Sequence, residues 1–232
     1  VREAAAWGLR DSTDPEAVPV LEVVLKAEDA DVRIKALEAL GANDTPQAMP
    51  VVRQAMNDRE PDVKYAACLS LLELSGEAWL SELSGIIGRT SGETLHQVLR
   101  AFFHATNNLK IDVGQSNAAD LMNDALETAM MDDLNAVRQA SIWPLAWMRH
   151  ARTPGILKRS YNIEQDSEVK AEIVRITTSL MNGTAGGSEI ERDAANFILN
   201  DALVSNNEVV KTAAIKAKEN LERMKASVAA AG

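Results

Sequence analysis

Apolar residues recur along this chain with the spacing of one face of an α-helix. In the stretch VRIKALEAL, the residues Val32, Ala36, Leu37 and Leu40 follow an i, i+4, i+5, i+8 pattern. Related runs, VREAAAWGL and VKYAACLSL, stand 31 residues before and 31 residues after it. The alternation of apolar and polar residues that is typical of β-strands is nearly absent. The pattern therefore predicts an all-α protein.

A second run repeats with the same offset. The sequence DPEAVPVL at 14–21 is matched 31 residues later by TPQAMPVV at 45–52. Each copy predicts a first helix that begins at its first proline, where a missing N–H is harmless. The second proline of each copy, Pro19 or Pro50, is expected to remove a hydrogen bond and bend that helix. A fixed period of this length is typical of a solenoid, because one helix pair cannot bury its apolar face alone.

The same template extends to the end of the chain. The second helix of each early pair is expected to be capped by Asp31 or Asp62. Loop-like composition indicates insertions at 107–120 and 182–189. Later second helices are predicted to start near Thr94, Val137, Val169 and Val210.

Residues 1–232 are accordingly interpreted as a single solenoid of about six to seven repeats. Val1 aligns with the middle of a repeat, so the first repeat is expected to be incomplete. The chain is therefore predicted to be a fragment of a larger protein.

The succession of DPxAxPxL, an acidic turn and DVRxxAxxAL resembles the bacterial HEAT-like repeats of the phycobiliprotein-lyase type. This resemblance implies a right-handed α-solenoid of antiparallel helix pairs, with first helices on a convex face and second helices lining a concave face. It also implies a ladder in which an Asp precedes an Arg by six residues. The pairs that fit this spacing are Asp58–Lys64 and Asp132–Arg138, and those that do not are Ala27–Arg33 and Ser205–Lys211.

The repeat register predicts which side chains pack between neighbouring repeats. These side chains are apolar and recur on the inward face of the second helices. The residues expected to be buried are Val32, Leu37, Leu40, Val63, Cys68, Leu71, Val137, Leu145 and Val169.

Two columns of side chains on the second helices are expected to face outward. They mix aromatic, aliphatic and charged residues, a composition typical of interface hot spots. The alternative is that these side chains fill gaps between imperfect repeats, as Trp143 and Trp147 would do around a kink at Pro144. The predicted partner-binding residues are Trp7, Glu38, Tyr65, Leu69, His96, Arg100, Trp143 and Arg175.

Charge and composition limit the kinds of partner. The net charge of −10 argues against binding nucleic acid through its phosphates, which requires clustered Lys and Arg. No apolar run is long enough to span a membrane. Cys68 is the only cysteine, which excludes an intrachain disulfide, and its position predicts a small buried hydrophobe. A protein or peptide partner is therefore expected.

Motifs for catalysis, metals or cofactors are not found in the sequence. The three histidines form no HExxH pattern and no His-Glu dipeptide, the pairing that the resemblance to HEAT-like hydroxylases would require for iron. No GxSxG or phosphate-binding glycine motif is present. We expect a non-catalytic scaffold without a cofactor. The alternatives left open are a bilin-lyase-like chaperone enzyme and a DNA-lesion-binding HEAT-like protein.

Overall fold

The computed structural model describes residues 8, 14, 16–43, 45–108, 110, 112–182 and 188–231. These residues form twelve α-helices and two short 3-10 turns, without a β-strand among them. The helices are α1 (Ala17–Val24), α2 (Ala30–Ala42), α3 (Ala48–Ala55), α4 (Pro61–Ser75), α5 (Leu80–Ile87), α6 (Gly92–Asn108), α7 (Ala119–Ala129), α8 (Asn135–Met148), α9 (Thr153–Ile163), α10 (Ser167–Asn182), α11 (Glu189–Leu203) and α12 (Glu208–Ala231). The prediction of an all-α solenoid is confirmed.

The chain divides into two compact units, residues 1–125 and 126–232, which are described separately. In the first unit α2 packs against α4 and α4 packs against α6, while α1 and α3 each pack on the second helix of their own pair. In the second unit α8 packs against α10 and α10 against α12, with α9 and α11 packed together beside them. Each unit therefore stacks copies of one helix pair.

The second helices begin close to the predicted positions. Every predicted start lies in the first turn of the corresponding helix: Thr94 in α6, Val137 in α8, Val169 in α10 and Val210 in α12. This agreement is expected because a helix start is encoded locally, by the capping residue and by the onset of the 3.6-residue period.

The predicted helix caps are wrong by two residues. Asp31 lies inside α2, and the side chain that caps this helix belongs to Asp29, whose carboxylate accepts a hydrogen bond from the Asp31 N–H. Asp62 likewise lies inside α4, which starts at Pro61. An acidic residue in the first turn still interacts favourably with the helix dipole, which explains why the sequence pattern placed it at the terminus.

The first helices start later than predicted, and this changes the role of their second proline. Pro19 is the third residue of α1, and Pro50 is the third residue of α3. The N–H groups of a first turn have no intrahelical acceptor, so neither proline removes a helical hydrogen bond. The bend predicted at these prolines therefore has no basis.

Most of the predicted core is buried, with one exception. Leu37, Leu40, Val63, Cys68, Leu71, Val137, Leu145 and Val169 are all buried. Val32 is only half-buried, because the inward stripe of α2 runs through Arg33, Ala36, Leu37 and Leu40 and leaves Val32 at its margin. Val63, at the equivalent position of α4, is covered because α4 has both α2 and α6 as neighbours.

The described residues of the first predicted insertion, 107–120, lie mostly between α6 and α7. Helix α6 continues through Asn108, and after a 3-10 turn at Val113–Gln115 helix α7 begins at Ala119. The second insertion largely lies outside the described residues, since only Asn182, Ser188 and Glu189 of it are described. Ser188 then caps α11 through a capping box with Glu191.

Candidate functional site

A groove runs along the second helices of the first unit. One face of α4 forms its floor, because Asp62, Tyr65, Leu69 and Glu73 follow an i, i+3, i+7, i+11 spacing. Helix α2 contributes one wall and Arg100 of α6 contributes to the other. The cavity has a volume of about 580 Å³. Four predicted partner-binding residues line it: Glu38, Tyr65, Leu69 and Arg100.

The wall of this groove depends on a close approach of α2 to α4 at Gly41. Ser70 Oγ donates a hydrogen bond of 2.8 Å to the carbonyl of Leu37, which ties the two helices together. A Cβ atom built at Gly41 would lie 3.0 Å from Ser70 Cβ and 2.7 Å from Glu73 Oε2. A side chain at position 41 would therefore clash with α4, and glycine allows the two helices to approach this closely.

Arg100 and Tyr65 form the aromatic and cationic part of the groove. The Arg100 guanidinium lies over the Tyr65 ring, with Cζ 5.5 Å from the ring centroid, a cation–π arrangement. Arg100 Nη1 also donates a hydrogen bond of 3.1 Å to Gln97 Oε1. Arg100 is exposed and Tyr65 is half-buried. Burial raises the pKa of Tyr65 against the opposing effect of Arg100, so its phenol stays protonated at neutral pH.

The remaining predicted residues of the first unit differ in position. Glu38 is half-buried and accepts a hydrogen bond of 2.8 Å from Lys35 Nζ. Leu69 is half-buried beside Tyr65 in the groove. His96 does not line the groove; it is half-buried on α6, with Nδ1 3.6 Å from Glu93 Oε1. Trp7 lies outside the described residues.

In the second unit, the predicted residues lie on α8 and α10. Trp143 and Trp147 are both exposed, one helical turn apart, while Pro144 between them is buried within α8. Arg175 on α10 is exposed and forms an ion pair with Glu172, Nη2 to Oε2 at 2.6 Å. The aromatic pair therefore presents an open surface rather than core filling.

The predicted ladder of Asp and Arg six residues apart is wrong in its partners, although Arg residues do connect neighbouring repeats. Arg33 donates to Ala27 O, six residues earlier, at 2.8 Å, and donates to both carboxylate oxygens of Asp58 at 2.8 and 2.9 Å. In the second unit Arg138 donates in the same way to the carbonyl of Asp132 at 2.8 Å and to the carboxylate of Glu164 at 2.8 and 3.0 Å.

The position six residues before each Arg therefore contributes a backbone carbonyl, so its side chain is free to vary. This explains why Ala27 does not break the ladder, contrary to the sequence-based expectation. The acidic partner instead lies 25 or 26 residues after the Arg. The sequence does contain both partners of each pair. The Arg belongs to the Val-Arg at the start of a second helix, and the acid belongs to the acidic turn that precedes the second helix of the following repeat.

The sequence prediction missed several residues that line the groove, and three of them shape its wall and its charge. They are Gly41 on α2, and Asp62 and Glu73 on α4. A helical-wheel reading would have found the two acids, because Asp62 precedes Tyr65 by three residues and Glu73 follows Leu69 by four. The role of Gly41 had no such signal, since it depends on the distance to another helix.

Within the part of the chain that the structure describes, no three His, Cys, Asp or Glu side chains cluster closely enough to hold a metal ion. None of the described helices combines the length and apolar character that crossing a bilayer requires.

Family comparisons match the first part of the chain. Residues 19–101 match the model for HEAT repeats, and residues 1–27 match the model for the PBS lyase HEAT-like repeat. No curated protein matches the chain.

Several solved structures resemble the chain weakly. Human deoxyhypusine hydroxylase in complex with glycerol is 16% identical with a TM-score of 0.44, over 96% of this chain and 79% of that one. The CpcE–CpcF complex of phycocyanin lyase from Nostoc sp. PCC7120 is 16% identical with a TM-score of 0.44, over 95% and 88%. An engineered protein is 17% identical with a TM-score of 0.38, over 96% and 90%.

The matched repeats coincide with the helix pairs α1–α2 and α3–α4 and with the Arg33–Asp58 pair between them. The first unit therefore contains residues that match HEAT repeats both in sequence and in helix pairing.

Proposed function

We propose that this protein is a non-catalytic scaffold that binds a partner protein along the face formed by α2, α4 and α6. The groove on this face carries the proposal, because Glu38, Tyr65, Leu69 and Arg100, which come from three successive repeats, line one cavity. A surface built from several repeats is suited to an extended protein segment, which contacts more than one helix pair at a time.

The chemistry of the groove supports this role. Tyr and Arg are enriched among residues that dominate binding energy, because they bury a large area and keep a polar end. The stacking of Arg100 on Tyr65 holds both side chains in place before a partner arrives. Less rotamer entropy is then lost on binding. Trp143 and Arg175 in the second unit, and Trp7 and His96 in the sequence of the first, stay further predicted partner-binding residues.

The shifted pKa values support a structural rather than a catalytic use of the ionisable groups. Enzyme sites concentrate such shifts in a cleft. Here the lowered pKa values of Asp58 and Glu164 belong to carboxylates paired with Arg33 and Arg138 between repeats. Burial raises the pKa of Cys68, which has no access to solvent. Among the described groups with a clear shift, Tyr65 alone lines the groove, as a protonated phenol.

The proposal is tested by site-specific photocrosslinking. A photoreactive phenylalanine analogue is placed at Leu69 in the groove, and in a control protein at Val23, an exposed residue of α1. Both proteins are irradiated in extract from the source cells, and adducts are identified by mass spectrometry. We expect a discrete protein adduct from position 69 that is absent at position 23 and weakened by Arg100→Ala. Equal labelling at both positions would exclude this face as the binding site.

A bilin-lyase-like activity is the second candidate, because residues 1–27 match a repeat model named after such lyases. Incubation of the protein with a bilin and an apo-phycobiliprotein tests it directly. Covalent attachment of the pigment above the uncatalysed rate would replace the scaffold proposal.

A further inference from the structure

The groove in the first unit is acidic along its length. Asp62 and Glu73 lie near the two ends of the same α4 stripe. Eleven residues separate them, which corresponds to about 16 Å at 1.5 Å per residue. Glu38 contributes a third carboxylate from α2. The groove therefore presents negative charge to any segment that follows α4.

Two of these carboxylates, those of Glu38 and Glu73, line the groove together with Gly41. Glu73 Oε2 lies 2.7 Å from the position that a Cβ at Gly41 would occupy. Glu38 precedes Gly41 by three residues, so both positions share one face of α2. Gly41 itself is buried, and the Glu73 carboxylate occupies the space that a side chain at position 41 would take. A cationic group in the groove would approach the exposed Glu73 at this point, with Glu38 lining the same groove.

The positive charges near the groove already have partners. Arg100 lies over the Tyr65 ring and donates to Gln97. Lys35 pairs with Glu38 within one helix, with both side chains about one-third or more exposed (34% and 42%). Such exposed pairs contribute little and exchange readily with an incoming cation.

The rest of the lining is apolar. Ile34 and Ala42 on α2 face Ala66 and Leu69 on α4. Apolar side chains in the middle of the groove and carboxylates around them fit a ligand that has aliphatic side chains at its centre and positive charge beside them. Aliphatic side chains would fill the groove, and a Lys or Arg would reach the carboxylates.

Resting on the proposed function, we infer that the partner segment is basic and aliphatic, with a Lys or Arg side chain that reaches Glu38 and Glu73 from within the groove. Aliphatic residues beside that cation pack on Leu69 and Ile34. The net charge of −10 favours the approach of such a segment at long range, and the two carboxylates select the residue that docks.

Peptide selection tests this inference. A phage-displayed library of random peptides of about twelve residues, long enough to follow the groove, is selected on the purified full chain. The same library is selected on the double variant Glu38→Gln/Glu73→Gln and on a control double variant, Glu16→Gln/Glu22→Gln. The control changes the net charge equally, at the exposed Glu16 beside α1 and the half-buried Glu22 on α1.

We expect enriched peptides that carry a Lys or Arg next to aliphatic residues. The Kd of these peptides, measured by fluorescence anisotropy, should rise at least tenfold for the double variant Glu38→Gln/Glu73→Gln and less than twofold for the control. Enrichment of acidic or uncharged peptides, or no enrichment, would overturn the inference. Equal weakening in both variants would also overturn it, because it would show attraction to net charge alone.

The failure of this inference is distinguishable from failure of the proposed function. If acidic peptides are selected and Arg100→Ala abolishes their binding, the face still binds a protein segment but Arg100 recognises it. If crosslinking from position 69 is no stronger than from position 23, the face itself is excluded. Circular dichroism of each variant verifies that the helices remain folded.

Discussion

Arg33 and Asp58 form a bidentate ion pair between neighbouring helix pairs, with Nε–Oδ2 and Nη2–Oδ1 distances of 2.8 and 2.9 Å. The Arg33 side chain is 4% exposed and also donates to the carbonyls of Ala27 and Glu28. One guanidinium therefore binds two backbone carbonyls in the turn before α2 and one carboxylate in the acidic turn of the next repeat. Arg138 and Glu164 repeat this arrangement in the second unit.

Replacing Arg33 with Ala is expected to reduce the free energy of unfolding by about 3 kcal/mol, because Asp58 and two carbonyls lose their shared donor. Urea denaturation followed by circular dichroism measures this loss. Arg159→Ala is the matched control, since Arg159 is exposed in its pair with the half-buried Glu127, and the change should alter stability by less than about 1 kcal/mol. Equal effects of both substitutions would contradict a structural role for the ladder.

Stability should fall in acid because of the same carboxylates. Burial is the largest single effect and alone would raise the pKa of Asp58 and Glu164. The hydrogen bonds and charge of Arg33 and Arg138, together with hydrogen bonds from nearby backbone N–H groups, outweigh it, so both pKa values are lowered. A lowered folded-state pKa adds stability above the unfolded pKa of about 4, and this stability is lost as the pH falls through the folded-state pKa.

The free energy of unfolding, measured at several pH values, should therefore decrease below about pH 4. Asp58→Asn and Glu164→Gln should be less stable than the wild type at pH 7, and their curves should approach the wild-type curve in acid. Parallel curves across the whole range would show that these carboxylates do not cause the pH dependence.

Leu37→Ala should lower the free energy of unfolding by about 2–5 kcal/mol, because Leu37 is fully buried and the change leaves a cavity. Val32→Ala on the same helix is the control, with a smaller expected effect of about 1 kcal/mol, since Val32 is only half-buried. Chemical denaturation of both variants checks the register of α2. A larger loss for Val32→Ala would reverse the assignment of the buried stripe.

Cys68 should resist thiol reagents in the native protein. Its side chain is buried, and burial raises its pKa to about 12, so the reactive thiolate is scarce at pH 8. Ellman's reagent should modify it slowly in buffer and at the rate of a free thiol in denaturant. Rapid reaction without denaturant would mean that α4 opens readily.

Arg100→Ala and Trp143→Ala should change the melting temperature little, because both side chains are exposed. Both should weaken binding of the partner identified by crosslinking, as expected for interface hot spots. Calorimetric melting and a binding titration of each variant separate the two effects. If both variants melt earlier and bind normally, these residues fill gaps between repeats, and the binding surface lies elsewhere.

The sequence by itself determined the helices and most of the core. The 31-residue period, the onset of each second helix and the burial of residues such as Leu37 and Leu71 follow from local spacing, because residues three and four apart share a helix face. The outward columns containing Tyr65 and Arg100 follow from the same periodicity. Local rules were less accurate at helix starts, where Asp29 rather than Asp31 caps α2.

The tertiary structure decided which distant residues meet. Asp58 becomes the partner of Arg33, 25 residues away, because packing of successive pairs brings the acidic turn of one beside the second helix of the other. Gly41 acquires its role from the close approach of α4, and Glu73 joins the groove through the same contact. Helical periodicity specifies a face within one helix, whereas the separation and register of two helices depend on how all their side chains pack together.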